Sequence, residues 1–262
     1  YKIIKQMKNG DSLIIRLLTD SAFKDAQQEM PSFMKKGKYL YTHVTMVNVF
    51  ETREQADSAN TAEAALAKPK IYKKQLEEVE KDLAGKKAQL SIDSRIIEEY
   101  LAKNNIKATK AKWGTYVVVT SEGTGEQLNT NYVASVNYTG RTLDSGKVFD
   151  SNIDPKFNHV QPYDVNLGEM GGVILGWTDA LLQLKKGAKA TIYIPSSLGY
   201  GSNGNGTDIT PNDNLIFDIE IFDAATEAVH TEKQKAMQQE KMKKMQEEQN
   251  QNPADAKKPG DK

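Results

Sequence analysis

Apolar and polar residues alternate with a period of two along Leu13, Ile15 and Leu17, and again along Leu40, Thr42, Val44 and Met46. That is the pattern of strands with one buried face. It changes over residues 52–105, where Ala, Glu, Lys and Gln dominate and the apolar residues fall three or four apart. Leu76, Val79 and Leu83, then Ile96, Ile97, Tyr100 and Leu101, each trace one stripe of a helix. Pro69 reads as the start of one helix and Asp93 or Ser94 as the start of another. Short strands separated by glycine return over residues 113–222. Among them, residues 132–138 alternate up to Thr139-Gly140, Asp144-Ser145-Gly146 signals a turn, and Val148-Phe149 opens another strand, which together make a hairpin. Asp150, directly after Phe149, is either solvated at a strand end or directed into a cavity. Residues 224–249 are helical in propensity and strongly charged. Residues 250–262, with Pro253, Pro259, Gly260 and few apolar side chains, are expected to be disordered.

An internal repeat changes the reading of the beginning. Met7-Lys8-Asn9-Gly10 followed by Leu13, Ile15 and Leu17 parallels Leu184-Lys185-Lys186-Gly187 followed by Ala190, Ile192 and Ile194. Residues 39–47 parallel residues 214–222, with Leu40 against Leu215 and Val44 against Ile219. Residues 1–50 then read as the second half of another copy of the later unit, joined to it by a helical connector at 51–112. Half a sheet leaves an unpaired edge, so association into a homodimer through the N-terminal region is expected.

The length of 262 residues suggests about two domains. The charge is balanced, with 35 basic and 35 acidic residues, and no nucleic-acid partner is expected. Without cysteine the chain can form no disulfide, no thiolate metal site and no cysteine nucleophile. The three histidines, His43, His159 and His230, are too far apart in sequence to form a local ligand pair, so no metal site is expected. No apolar run approaches the roughly 18 residues needed to span a bilayer. The first residue is Tyr1 rather than methionine, from which an upstream segment, a signal peptide included, is expected to have been removed.

The most specific signal is a series of short motifs in order: Tyr138-Thr139-Gly140, Phe149-Asp150-Ser151, Pro162-Tyr163, then Gly172-Val173-Ile174-Leu175-Gly176-Trp177. Ile194-Pro195, Leu198-Gly199-Tyr200-Gly201 and Leu215-Ile216-Phe217-Asp218 follow. Over residues 113–223 this closely resembles the FKBP-type peptidyl-prolyl isomerases. The wider layout resembles envelope lipoproteins of Bacteroidetes-type bacteria with tandem FKBP-like units. That implies a periplasmic or outer-membrane-anchored protein, with a cytoplasmic location as the alternative. The resemblance implies an α+β fold, an antiparallel sheet of five or six strands curled around one short helix, and Ala180, Leu181 and Leu184 at helical spacing agree with it.

It also implies a site and an activity, isomerase chemistry that requires no cofactor. Trp177 would form the floor of a proline cavity, with Tyr138, Phe149, Val173, Ile174 and Phe217 as its walls. Tyr163 stands where the family commonly has phenylalanine, and Ile209 lies in the long loop that usually contacts ligand. Tyr138, Asp150 and Tyr200 would act directly, Tyr200 as a hydrogen-bond donor to a substrate carbonyl and Asp150 as the carboxylate that polarises the site. The implied partners are proline-containing polypeptide clients, with macrolides of the rapamycin type as a second ligand class. A different reading keeps the pocket but makes it a proline-binding or chaperone module with little turnover. Three departures from the family pattern stand out: an extra residue in Glu169-Met170-Gly171-Gly172, a small and polar loop at 202–210 with the acidic Asp208, and an insertion at 155–161 that carries Phe157 and His159.

Overall fold

The computed structural model describes residues 3–24 and 30–251; of the tail expected to be disordered, residues 252–262 lie outside them. The chain forms two compact units, Tyr1–Ala67 and Lys68–Lys262.

The first unit holds strand β1 (Ser12–Leu18), the single-turn helix α1 (Thr19–Ala22), strand β2 (Tyr39–Thr45) and the start of helix α2 (Arg53–Gly85). Pro69 lies inside α2 rather than at its start. A proline there forgoes one backbone hydrogen bond at a cost of about 3 kcal/mol, and the helix-forming sequence on both sides carries it.

The second unit continues with α3 (Lys87–Lys103), β3 (Thr109–Lys110), β4 (Tyr116–Ser121), β5 (Tyr132–Thr142), β6 (Val148–Ser151) and β7 (Tyr163–Asn166). Helix α4 (Leu175–Leu181), β8 (Lys189–Ile194), β9 (Leu215–Thr226) and α5 (Glu227–Gln251) complete it. All neighbouring strands are antiparallel, in the order β3-β4-β8-β9-β5-β6, with β7 also paired to β5. The fold is α+β, and its sheet has seven strands rather than five or six because the short β3 and β7 are added at its margins.

The two faces of this sheet bury different helices. On one, α4 is covered all round, and Trp177, Ala180 and Leu181 join Ile192, Ile194, Leu215, Phe217 and Ile219 in the main core. On the other, Ile97 and Leu101 of α3 pack with Tyr116, Tyr193 and Ile216. Asp179 pins α4 to the strand edge by accepting the backbone N–H groups of Trp113 and Thr115 at 3.0 Å. Burial raises its carboxyl pKa against the pull of those bonds. Asp93 is not a helix cap: α3 begins six residues earlier, and the carboxylate is fully buried. There it accepts the Ser196 and Ser197 hydroxyls at 2.8 and 2.7 Å, the Ser197 N–H at 3.0 Å and the Gln89 amide at 2.8 Å, since a buried carboxylate must be saturated with donors.

Strand β5 runs past Thr139-Gly140 to Thr142, paired with β9 from Tyr132↔Thr226 to Thr142↔Leu215. Gly140 is there for space, not for a turn. A Cβ at this position would lie 2.6 Å from the Phe217 ring and 2.8 Å from that of Phe149.

The β1–β2 hairpin and the β8–β9 pair share one register. Leu13↔Val44, Ile15↔Thr42 and Leu17↔Leu40 in the first stand where Ala190↔Ile219, Ile192↔Phe217 and Ile194↔Leu215 stand in the second. The turns leading into them also match. Gly10 at φ +85° and Gly187 at φ +81° occupy the left-handed region open to glycine. Each donates its N–H to the far strand, Gly10 to the Met46 carbonyl at 2.7 Å and Gly187 to that of Ile221 at 3.1 Å. The return bonds correspond as well, Met46 N–H to the Asp11 carbonyl at 2.8 Å and Ile221 N–H to that of Ala188 at 2.9 Å. Among the described residues β1 and β2 form a sheet of two strands only, and Ile14 and Tyr41 are each 60% exposed.

Candidate functional site

At the N-terminal end of α4 the sheet leaves a cavity of about 230 Å³, lined by side chains from four strands, two loops and the helix. Tyr138 comes from β5, Phe149 and Asp150 from β6, Tyr163 from the first position of β7 and Phe217 from β9. Gly172, Val173 and Ile174 approach from the loop before α4, Trp177 from the helix itself, and Tyr200 from the loop after β8. The extra residue before Val173 does not remove Val173 or Ile174 from the lining.

Trp177, nearly buried, is the centre of a set of aromatic edges. Its ring meets Tyr138 at 5.0 Å and 81°, Phe217 at 5.3 Å and 87°, and Tyr163 at 6.5 Å and 85° between centroids and planes. Phe149 meets Phe217 at 5.6 Å and 83°. Edge-to-face contacts of this kind set the positive rim of one ring against the negative face of the next, and they fix the rings as a rigid wall. The Trp177 indole N–H has no acceptor among the described residues, so the ring is held by packing alone.

One carboxylate stands at the rim of this wall. The Tyr138 hydroxyl donates to Asp150 Oδ2 at 2.7 Å. Burial, then the hydrogen bond to Asp150 and its charge, raise the Tyr138 pKa strongly, so its phenol remains a donor at any physiological pH. The Tyr200 hydroxyl has no partner among the described residues. Asp208, the acidic residue of the neighbouring loop, is paired with Lys147 at 2.6 Å, which offsets its charge.

Nine of the ten residues singled out from the sequence line the cavity: Tyr138, Phe149, Asp150, Tyr163, Val173, Ile174, Trp177, Tyr200 and Phe217. Ile209 does not. Backbone bonds between Asn205 and Ile209, at 2.8 and 3.3 Å, close the loop tightly, and the Ile209 side chain is packed in the main core at 3% exposure. Sequence reasoning missed Asn152. It is buried, and its side chain accepts the Tyr138 N–H at 2.7 Å and donates to the carbonyls of Val136 and Gln161 at 2.9 and 2.8 Å. A polar residue directly after Phe149-Asp150-Ser151 was the only available signal for that role.

An antiparallel sheet curled over one buried helix, with an aromatic cavity at the head of that helix and a single carboxylate at its rim, defines a class of ligand-holding α+β domains. The FKBP-type peptidyl-prolyl cis-trans isomerase profile matches residues 124–222, and the chain belongs to that family. It is 39% identical over 100 residues to an FK506-binding protein of Neisseria meningitidis, covering 38% of this chain and 86% of that one. It is 36% identical over 151 residues to the probable FKBP-type peptidyl-prolyl cis-trans isomerase FkpA of the same species, covering 58% of this chain and 52% of that one. This last relative and the probable isomerase of Haemophilus influenzae, of which 48% is matched, are about twice as long as the segment they share with this chain. Among solved structures, FkpA from Escherichia coli aligns with a TM-score of 0.42 at 28% identity, over 69% of this chain and 76% of that one.

Proposed function

We propose that this chain accelerates cis–trans isomerisation of X-Pro bonds in folding polypeptides. The observation that carries the reading is the juxtaposition of the Trp177 floor, the Tyr138–Asp150 pair at 2.7 Å and the Tyr200 hydroxyl around one cavity. Rotation about an X-Pro bond is opposed by amide resonance, a barrier of about 18–20 kcal/mol, and no covalent bond changes. Catalysis then consists of holding the twisted amide better than either planar form. Twisting frees the nitrogen lone pair and weakens the amide's hold on water, which an apolar cavity around the proline ring favours. In this assignment Trp177, Phe149, Tyr163, Val173, Ile174 and Phe217 enclose the ring. Tyr200 donates to the carbonyl preceding or following it, and Asp150, aimed by Tyr138, supplies the field at the rotating group. The same cavity suits the apolar ring of a rapamycin-type macrolide.

The test is a protease-coupled assay on Ala-Leu-Pro-Phe-like peptides. Asp150→Leu and Tyr200→Phe are each expected to lower kcat/KM by about tenfold, a loss of about 1.4 kcal/mol of transition-state binding, with circular dichroism unchanged. Unaltered rates in both would remove the assignment. The competing reading, a holding module, is favoured by the exposed Phe222 of β9 and Met237 of α5; it predicts that aggregation suppression survives in the Asp150→Leu, Tyr200→Phe double variant.

We also propose that residues 1–50 are the second half of another FKBP-like unit. The shared register and matched turns support this, and Thr42 at the position of Phe217 leaves that half without an aromatic wall. The resemblance of the layout to envelope lipoproteins supports a place in the bacterial envelope, which cell fractionation tests. Among the described residues, no helix is long and apolar enough to cross a membrane.

A further inference from the structure

Both oxygens of Asp150 have partners, and Oδ1 also accepts the Ser151 backbone N–H at 2.9 Å, so that among the described residues His159 is the one side chain that bonds to that oxygen. Oδ2 accepts from Tyr138, while Oδ1 meets Nε2 of His159 at 2.7 Å. The imidazole comes from the inserted loop after β6, and that loop is fastened along its length. Asn152 ties its two ends to β5, bonding to Tyr138 and Val136 on the strand and to the Gln161 carbonyl on the loop. The buried Ser151 hydroxyl donates to the Tyr138 carbonyl at 3.0 Å and accepts the N–H groups of Ile153 and Asp154 at 3.1 and 3.3 Å. Asp154 caps the 3-10 turn Pro155–Phe157, and Asn158 at φ +60° turns the chain back. The result sets the His159 ring 6.4 Å from that of Tyr138, at 33°.

An ionised carboxylate can only accept, so the neutral imidazole facing it must carry its proton on Nε2. We propose that His159 is the positioning residue of the site carboxylate and sets the charge at the cavity rim. This rests on the isomerase reading above. Neutral, His159 holds Asp150 with Oδ2 aimed at Tyr138 and leaves a full negative charge beside the rotating amide. Protonated, it forms an ion pair with Asp150, and the rim becomes neutral overall. Histidine is the side chain whose ordinary titration falls in the physiological range, so a site partnered this way responds to pH where one partnered by arginine does not. The charged neighbours do not duplicate this response: Tyr138, from β5, stays protonated, while Asp154 and Lys156 of the same loop are paired with each other at 3.0 Å. The imidazole is 45% exposed, so a proton can reach it from solvent.

The experiment is a kcat/KM profile from about pH 8 to about pH 5, the span over which ordinary histidine charges. The wild-type rate is expected to fall by about threefold or more toward the acid end. His159→Ala lowers the rate at the alkaline end by about threefold, and His159→Gln, which keeps a donor, restores most of it; both lose the acid decline. A wild-type profile that is flat, or a decline of the same size in the glutamine variant, overturns the proposal. A readout independent of turnover is the nitrogen-detected NMR spectrum of His159 at the alkaline end. The Nε2-protonated tautomer alone is expected in the wild type and a tautomer mixture in Asp150→Leu, which offers no acceptor; identical tautomers in both overturn it. A wild type without turnover at any pH removes the isomerase reading instead, and the NMR result still decides the pairing.

Discussion

Gly140 illustrates how far a missing methyl group can shape a site. Its position on β5 is opposite Phe217 and under Phe149, and the two rings come as close as they do because nothing projects from the glycine. Gly140→Ala is expected to destabilise the fold by about 1–3 kcal/mol, the usual cost of overfilling a packed region. On the proposed function it should also weaken the cavity's hold on a rapamycin-type macrolide, because both cavity walls must retreat. Urea denaturation and a ligand titration check the two effects together, and a variant as stable and as tight as the parent would contradict the packing argument. The same residue marks a limit of sequence reading. Glycine after Tyr138-Thr139 looks like the end of a strand, and only the neighbouring strand reveals that it is a mid-strand contact. Asp150 was ambiguous for a related reason: whether a strand-end acid is solvated or directed inward depends on Trp177 and Phe217, far away in sequence. Ile209 shows the opposite case, where a loop position with an apolar side chain was turned into the core by a five-residue bridge that no periodicity announces.

Elements here are joined by a few charged contacts whose effects can be measured. Asp223, near the end of β9, is held by Lys186 of the turn before β8 and by Lys233 of α5 at 2.6 Å. Burial works against its ionisation, but the hydrogen bonds from the two lysines outweigh that and bring its pKa down to about 2. A carboxyl depressed in the folded state contributes stability above its unfolded value near 3.8, and that contribution disappears as pH falls toward about 2. Asp223→Asn should therefore lower the melting temperature at neutral pH, and the gap from the parent should close as the solution is acidified through that window. A gap independent of pH would mean that packing, not charge, is lost. The alternation in β1, β2 and β5 and the helical stripes through Leu76–Leu83 and Ile96–Leu101 made most elements legible in the sequence, although the buried face expected of β1 and β2 is not formed. Neither strand has a buried residue, and Ile15 and Leu17 are exposed because, among the described residues, only two strands pair there. The short β3 and β7 were not legible, being two and four residues set by pairing alone. Nor was the course of α2 through Pro69, since long favourable flanks override a local breaker.

At the scale of the molecule, the second unit has a seven-stranded sheet, while among the described residues the first has two strands, with Ile14, Tyr39 and Tyr41 exposed, and a two-stranded hairpin is marginal in water. We expect this chain to self-associate through that unit. Light scattering after size exclusion should give a mass near twice the 29.2 kDa of the chain, falling to the single-chain value when Ile14 and Tyr41 are replaced by lysine. A parent already at the single-chain mass would exclude the idea. The resemblance between the hairpins was visible in the sequence as Met7-to-Leu17 against Leu184-to-Ile194, yet similarity of amphipathic strands is weak by itself. Agreement of the pairing, of the glycine turns and of the bonds that close them is what gives it weight.

The matched ladders also separate what holds a fold from what makes it useful. At one rung, Ile192 faces Phe217, which walls the cavity; at the corresponding rung, Ile15 faces Thr42. Backbone hydrogen bonds do not depend on which of these side chains is present, so one register can carry a cavity wall in one pair of strands and none in the other. This one chain therefore supplies its own reference state: an aromatic placed at position 42 would ask, within a single molecule, how much of a proline cavity comes from the side chain and how much from the sheet behind it.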